Sequence, residues 1–503
     1  MALPPGISER DFDRALERFR AAVGGEWVFS SDEDVALYRD AYSIYWGEPE
    51  ERVASAAVAP STVEEVQAVV RAANELRIPL YPISTGRNLA YGGSAPVLSG
   101  SVVLDLKRMN RVLEIDEKSA FALVEPGVSY FDLYNAIEER RLDVWIDPPD
   151  PGWGSVIGNA LDGGGGWTAY PFRDHFGAHC GMEVVLGDGD IVRTGMGAVP
   201  NAKTWQENKW GYGPWVDGLF RQGNMGVVTK MGFWLMPRPE AYISGTASVS
   251  GDAGVVGLIE TLNLLENQLV VNGSTQLGGG GNSWTLQVPI YGPANVIRAQ
   301  LDYCRSKFEA IEGCTFTETP LIRTPAPGEA PPPGVRLVNF GVPNLSTFSL
   351  LGRSQFQPNP PGGHIGFSPI LPRRGEELIR FRDWYNANAA EVSGGENLGI
   401  IGPVFMTNWE RSLVGLIMFP VAKDIGYNRK IRAAFERWVE LAAAEGWCEY
   451  RAPTVYQDLV AATYSYNDNA LTRMREKIKD AVDPNGIISA GRYGVWPRHL
   501  RNA

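Results

Sequence analysis

Three glycine-rich loops set the tightest limits on what this 503-residue chain can fold into. The first, residues 82–93, leaves a short apolar strand at 80–84 and gathers Ser84, Thr85, Gly86, Arg87 and Asn88 into one turn. Consecutive backbone N–H groups in such a turn make an anion nest, and hydroxyls with an Arg add donors for a pyrophosphate. The loop is neither GxxxxGK nor GxGxxG, so it is not a Walker loop or a doubly wound dinucleotide fingerprint. The second runs from Asp150 to Asp162 and on through Gly163, Gly164, Gly165 and Gly166. Its small residues let backbone lie flat along a ligand. The third, Gln222-Gly223-Asn224-Met225-Gly226-Val227-Val228-Thr229-Lys230, enters a strand. One such turn is more often structural than functional; three together are far more specific.

Around these loops the pattern is α+β. Residues 7–23 read as an amphipathic helix with Phe12, Leu16, Phe19 and Val23 on one stripe. Ser61 or Thr62, with Glu64 or Glu65, forms a capping box for a helix whose apolar face is Val63, Val66, Val69, Val70 and Ala73. Strands at 102–106 and 120–125 and a helix at 130–140 complete a unit of short elements, without the long βαβ rhythm of a doubly wound fold. A hairpin spans 182–186 and 190–194 around Gly187-Asp188-Gly189, and a strand spans 227–235. Pro237-Arg238-Pro239 reads as a domain boundary. Beyond it, strand and helix alternate: 242–249, 255–263, 283–289 and 294–307. Residues 317–334, with six prolines, read as a loop. Strands at 363–368 and 412–419 flank a helix at 375–391. A helix at 428–445, a strand at 449–451 and a helix at 470–482 follow.

The net charge of -12 argues against a nucleic-acid partner. No apolar run approaches the ~18 residues of a membrane span, and the N-terminus has no secretory apolar core. Four Cys without a CxxC suit free thiols in a cytoplasmic protein, and no zinc spacing occurs. His175 and His179 are spaced as a metal pair would be on a helix, but Gly177 between them is poor for a helix and no third ligand is evident, so no metal is expected.

The order and spacing of the three loops resemble the vanillyl alcohol oxidase and para-cresol methylhydroxylase family of flavoproteins. The likeness continues into Pro361-Gly362-Gly363-His364-Ile365-Gly366-Phe367-Ser368-Pro369, Glu449-Tyr450-Arg451 and Asp483-Pro484-Asn485-Gly486-Ile487-Ile488-Ser489-Ala490-Gly491-Arg492. It covers nearly the whole chain and is strongest with the 4-phenol oxidase, eugenol oxidase-like branch. It implies a two-domain FAD-binding fold with an α/β cap: residues 1–238 (core about 53–238) binding FAD, 239–449 forming the substrate cap, and 450–503 returning to the FAD domain. It also implies FAD held by Pro82, Ser84, Thr85, Gly86, Arg87, Asn88, Gly92, Gly154, Ser155, Gly158, Asn159, His175, Gly226, Val228 and Arg492, and bonded covalently to His364 through its 8α-methyl.

The same resemblance puts Tyr91, Tyr450 and Arg451 around a phenol oxygen, where two hydroxyl donors and a guanidinium favour phenolate. Neighbours on a regular strand point to opposite faces, so Tyr450 and Arg451 can converge only at a strand end or bulge. Asp150 falls where the family keeps an acid beside flavin N5 and the reacting carbon, while Asp147 reads as a twin without a role. The implied reaction is hydride transfer from the benzylic carbon of a para-substituted phenol to flavin N5, through a quinone methide. Water then adds with Asp150 as base, and dioxygen reoxidises the flavin to give hydrogen peroxide. Cytochrome c as acceptor is one alternative, and a non-catalytic flavin-binding protein is another. A homodimer or larger homo-oligomer is expected. Met406-Thr407-Asn408-Trp409, the extra glycines with Trp167, and the short Pro-rich segment at 317–360 depart from the family and bear on the substrate pocket.

Overall fold

The computed structural model describes residues 2–346, 363–407, 409 and 411–501. Pro361, Gly362 and Asn408, which fall in stretches singled out above, lie outside them.

Helix Val63–Leu76 starts where Thr62 Oγ1 accepts the Glu65 N–H at 3.2 Å and the Ser61 N–H donates to Glu65 Oε2 at 2.7 Å. These bonds satisfy donors that a helix start leaves open. Its apolar face is buried with Phe12, Leu16 and Phe19 of helix Glu9–Val23. The helix leads into strand Leu80–Ile83, the edge of a four-stranded sheet ordered Val28–Phe29, Ala56–Val58, Val102–Asp105, Leu80–Ile83, whose last three strands are parallel. Strands of three or four residues explain why the sequence shows no long βαβ rhythm. A second sheet is antiparallel throughout: Val112–Asp116, Phe121–Val124, Val227–Trp234, His179–Val185, Ile191–Arg193. The first and third glycine-rich loops leave or enter strands of these two sheets.

Two further antiparallel sheets lie between residues 241 and 449. One pairs Ala241–Ser250 with Ser283–Gly292 along ten residues and carries helices Gly251–Asn267 and Ala294–Phe308. The other centres on Ser412–Val421, flanked by Gly363–Phe367, Pro369–Pro372 and Ile401–Met406, and carries helices Gly375–Val392 and Ile425–Ala444. One continuous apolar cluster joins both.

Two expectations need correction. The Pro-rich stretch holds a short strand, Ile322–Arg323, on the edge of Ala241–Ser250, because its prolines lie outside those two residues. The strand expected over 449–451 is Cys448–Glu449 only. Just past this strand, Ala452, Tyr456 and Val460 are buried in the cluster of the later sheets.

The chain meets its beginning further on. The Leu80 N–H donates to the Ile487 carbonyl at 2.6 Å, and the Ser489 N–H donates to the Leu80 carbonyl at 2.8 Å. Lys479, fully buried, ties the same segment down through Nζ to the Asn224 and Ile488 carbonyls (2.5 and 2.6 Å) and to Asp483 at 2.6 Å. Among the described residues no helix is long and apolar enough to cross a membrane.

Candidate active site

A cavity of about 460 Å³ opens where the glycine-rich loops of the first two sheets face the strands of the fourth. Pro82, Ser84, Thr85, Gly86, Arg87 and Asn88 line it from the first loop, Gly154, Ser155, Gly158 and Asn159 from the second, and Gly226 and Val228 from the third. His364, Arg492, Tyr91, Asp150, Tyr450 and Arg451 line it as well. Two residues assigned to the cofactor do not. Gly92 faces Thr454, whose side chain a Cβ would meet at 2.6 Å. His175 sits one layer behind, its Nδ1 2.6 Å from Asn159 Oδ1 and 2.9 Å from the Tyr130 hydroxyl. It fixes a lining residue rather than lining the cavity itself. His179 lies apart, its Nε2 3.0 Å from Asp217, and no three metal-ligating side chains come together among the described residues.

The loops are pressed to the shape of a thin guest. A Cβ on Gly158 would come within 2.3 Å of Ser84 Oγ, so the two loops touch backbone to side chain. A Cβ on Gly154 would meet nothing within 4 Å, so a side chain there would intrude on open space beside the cavity. Ser155 Oγ caps the short helix Val156–Leu161 by accepting the Gly158 N–H at 3.0 Å. These features fit an FAD, whose diphosphate would lie on the Ser84–Asn88 donors.

His364 stands on strand Gly363–Phe367 with the Tyr42 ring 5.4 Å away. Burial pulls its imidazole down to about 4, so it is neutral near pH 7 and able to act as a nucleophile. The glycine before it makes room for a neighbouring ring. A Cβ on Gly363 would lie 2.1 Å from the Tyr42 ring, so the residue is small because Tyr42 packs on it.

At the other end, Arg451 lies 3.9 Å from the centroid of the Tyr91 ring. Its Nε donates to Asp162 Oδ2 at 2.8 Å and its Nη2 to Asn88 Oδ1 at 2.7 Å, which leaves Nη1 without a hydrogen bond among the described residues. Burial raises the Tyr91 and Tyr450 hydroxyls above the usual phenol range, and Arg451 works against it. Both are therefore neutral donors at neutral pH. The Trp409 ring meets Tyr450 edge-on at 5.0 Å.

Glu449 explains how neighbours 450 and 451 serve one site. The strand stops there, and its buried carboxylate accepts the Tyr450 N–H at 3.0 Å, the Arg451 N–H at 2.9 Å and the Ser368 N–H. The bend it holds frees the two side chains from strand alternation. Burial pushes Glu449 up to about 8, against the pull of those N–H groups and of Arg451.

Asp162 is the second residue that sequence reasoning passed over. Its Oδ1 accepts from Arg492 Nη2 (2.6 Å) and the Tyr493 hydroxyl (2.9 Å), and its Oδ2 from Arg451 Nε and Asn88 Nδ2 (2.9 Å). Burial works to raise its pKa, but Arg451 and Arg492 outweigh that and hold it below the carboxylate range. An Asp beside glycines, matched to an Arg far along the chain, gives no local signal.

Asp150 accepts from Ser346 Oγ at 2.6 Å. Asp147 is not the idle twin it looked. Its carboxylate accepts the Trp167 N–H (2.9 Å), the Thr168 N–H (3.0 Å) and the Thr168 hydroxyl, and it lies 3.4 Å from His175 Nε2. A Cβ on Gly166 would overlap it at 1.5 Å.

Residues 54–195 match the model of the FAD binding domain. The chain is 32% identical to the flavoprotein subunit of 4-cresol dehydrogenase (hydroxylating) of Pseudomonas putida, over 98% of this chain and 97% of that one. It is 39% identical to 1'-carboxy-chondrochloren decarboxylase of Chondromyces crocatus, over 98% and 99%. Its fold is similar to that of a 4-ethylphenol oxidase from Gulosibacter chungangensis, solved as an isoeugenol complex, with a TM-score of 0.86, 32% identity and 99% and 100% of the chains covered. A p-cresol methylhydroxylase with substrate bound aligns with the same TM-score, 31% identity and 99% coverage of both chains.

Proposed function

Because the chain belongs to the vanillyl alcohol oxidase and para-cresol methylhydroxylase family of FAD-linked oxidoreductases, we propose that its cavity oxidises para-substituted phenols at the benzylic carbon. The observation that carries this reading is the meeting of Tyr91, Tyr450 and Arg451 in the same cavity as His364 and the three glycine-rich loops. Toward a phenol, those three side chains favour loss of the O–H proton. The phenolate then pushes electron density toward the para carbon and makes its C–H hydridic.

FAD, when bound, supplies the acceptor for that hydride. The protein's own part is to bind, charge and orient. Arg451, set by Asp162 and Asn88, faces the phenolate with its remaining N–H groups. Asp150 takes the proton of a water adding at the benzylic carbon of the quinone methide. His364 is the point of covalent attachment, supported by its neutral imidazole. Dioxygen as final acceptor, with hydrogen peroxide as product, is the finer reading, ahead of a cytochrome c. The enzyme is a homo-oligomer of the cytoplasm, with residues 1–238 and the C-terminal segment from 450 as the FAD domain and 239–449 as the cap. The second reading concerns the fate of the quinone methide. The relative sharing 39% identity is named a decarboxylase, so loss of a carboxyl group competes with water addition.

The test is anaerobic bleaching of the flavin by a panel of phenols carrying para-alkyl, para-allyl or benzylic-alcohol groups, followed by admission of air. Bleaching with recovery and peroxide formation is expected. A flavin that no para-substituted phenol bleaches would refute the reading, and recovery only with a cytochrome would move the acceptor.

A further inference from the structure

Strand Gly363–Phe367 and the residue after it form one wall of the cavity. Side chains alternate along a strand. Here Ile365 and Phe367 turn into the apolar cluster of the later sheets, while His364, Gly366 and Ser368 line the cavity. Four residues of extended chain span roughly 13 Å. The wall therefore runs from His364 to the corner where Tyr91, Tyr450 and Arg451 meet.

Ser368, which is buried, is tied to that corner twice. Its N–H donates to the Glu449 carboxylate, which also accepts the Tyr450 and Arg451 N–H groups. Its hydroxyl meets that of Tyr91. Both oxygens lie close to the place a Cβ on Gly366 would take, 3.7 Å from it for Ser368 and 3.9 Å for Tyr91. Burial raises the Tyr91 pKa, and the hydrogen bond from Ser368 works in the other direction, after the Arg451 charge. A bond that lowers a phenol's pKa favours its charged form, so Ser368 is the donor and the Tyr91 oxygen the acceptor. A tyrosine hydroxyl carries one proton. Arg451, a donor only, lies over the Tyr91 ring at 3.9 Å from its centroid and offers that proton no acceptor.

We propose that Ser368 is a positioning residue for the phenol oxygen: by donating its hydroxyl to Tyr91 Oη, it commits the single proton of Tyr91 to the oxygen of the bound substrate. The inference rests on the phenol-oxidising reading of the same cavity. A chain of two hydrogen bonds with one polarity, Ser368 to Tyr91 to substrate, polarises along its length and holds a phenolate better than Tyr91 alone. Gly366, between His364 and Ser368 on the same face, keeps the approach to that chain clear of side chain.

The probe is 4-nitrophenol, which has no benzylic hydrogen to give and whose absorbance reports its ionisation. It is bound to the FAD-loaded wild type, Ser368→Ala, Ser368→Thr, Tyr91→Phe and the double variant Tyr91→Phe/Ser368→Ala, and titrated with pH. The wild type should hold the probe as phenolate at a pH where free 4-nitrophenol is largely protonated. Ser368→Ala should lower the ratio of bound phenolate to bound phenol roughly three- to tenfold, the worth of one hydrogen bond, and Ser368→Thr, which keeps the hydroxyl, should restore it. In the Tyr91→Phe background Ser368→Ala should change nothing, because the donor has lost the oxygen it acts through. Should the alanine protein fail to fold, Ser368→Cys, of similar size and a weak donor, gives the same comparison. An unchanged ratio in Ser368→Ala, or an equal loss with and without the Tyr91 hydroxyl, overturns the proposal and leaves phenol oxidation standing. A wild type that binds the probe only un-ionised, or not at all, overturns both.

Discussion

Replacing Glu449 by Gln tests whether a buried carboxyl group governs the corner on which Tyr450 and Arg451 hang. In the wild type, Glu449 is 2% exposed and its pKa rises from the ordinary 4.5 to about 8. The folded protein therefore holds a proton between those values that the unfolded chain has released. Stability falls as pH rises through that window, by about 1.4 kcal/mol per unit at the steepest and about 5 kcal/mol in all, because a raised acid pKa penalises the ionised fold. Gln carries no such proton. Its single carbonyl oxygen can keep the Tyr450 and Arg451 N–H groups but presents an NH2 to the Ser368 N–H, at a cost of about 1–3 kcal/mol that does not vary with pH. The two unfolding curves should cross. Glu449→Gln should be the weaker protein at pH 5 and the stronger one at pH 9. Urea unfolding midpoints of both proteins, taken from pH 5 to pH 9 at fixed ionic strength, measure this, since every other titrating group is common to the pair. A gap of constant sign and size across that range would refute the reasoning and show that the three N–H groups keep Glu449 ionised.

Asp162→Asn should cost roughly 3–5 kcal/mol, because either amide orientation surrenders two of its four bonds and leaves a buried guanidinium facing an N–H; thermal unfolding of the FAD-free protein reads this. Asp150→Ala should keep fold and flavin while turnover drops by about 10²–10⁴-fold, the usual worth of a placed acid–base group, as stopped-flow and steady-state rates would show. Asp147→Ala, with three N–H and O–H donors left in a buried place, should lower the unfolding midpoint and so cannot serve as its neutral control. His364→Ala should still bind FAD through the glycine-rich loops, but acid precipitation should leave the colour in the supernatant, whereas the wild-type pellet stays yellow.

Repeating and contiguous signals were legible before any coordinates. The capping residues before Val63, the apolar stripe of the first helix and the three glycine-rich loops follow from local rules, and the elements match them within a few residues. Most of the cavity residues within those loops were supplied by the resemblance to the family, and only the donor-rich turn at Ser84–Asn88 was read from the residues themselves. What escaped was pairing at long range. Asp162 matters because Arg451 and Arg492 reach it from about 290 and 330 residues away, and no window along the chain contains all three. Glu449 was passed over because a carboxylate that accepts backbone N–H groups has no sequence pattern of its own. His175 and Asp147 show the reverse error. The resemblance suggested a direct role for one and none for the other, whereas both side chains are buried behind the lining.

The stitch between Leu80 and residues 487–489 has a bearing on how the protein is made. A ribosome delivers the first glycine-rich loop hundreds of residues before the segment that closes its strand, and Arg492 arrives later still. Pairings so remote in the chain form late, since the loop they close must be ordered first. The nascent chain therefore carries an unfinished cradle, lacking both the edge partner of Leu80 and one of the two guanidinium groups that pair with Asp162, until translation is nearly over. Loading with FAD belongs after release from the ribosome. A chain shortened by its last two dozen residues should accumulate as colourless, protease-sensitive protein, even though every glycine-rich loop is present.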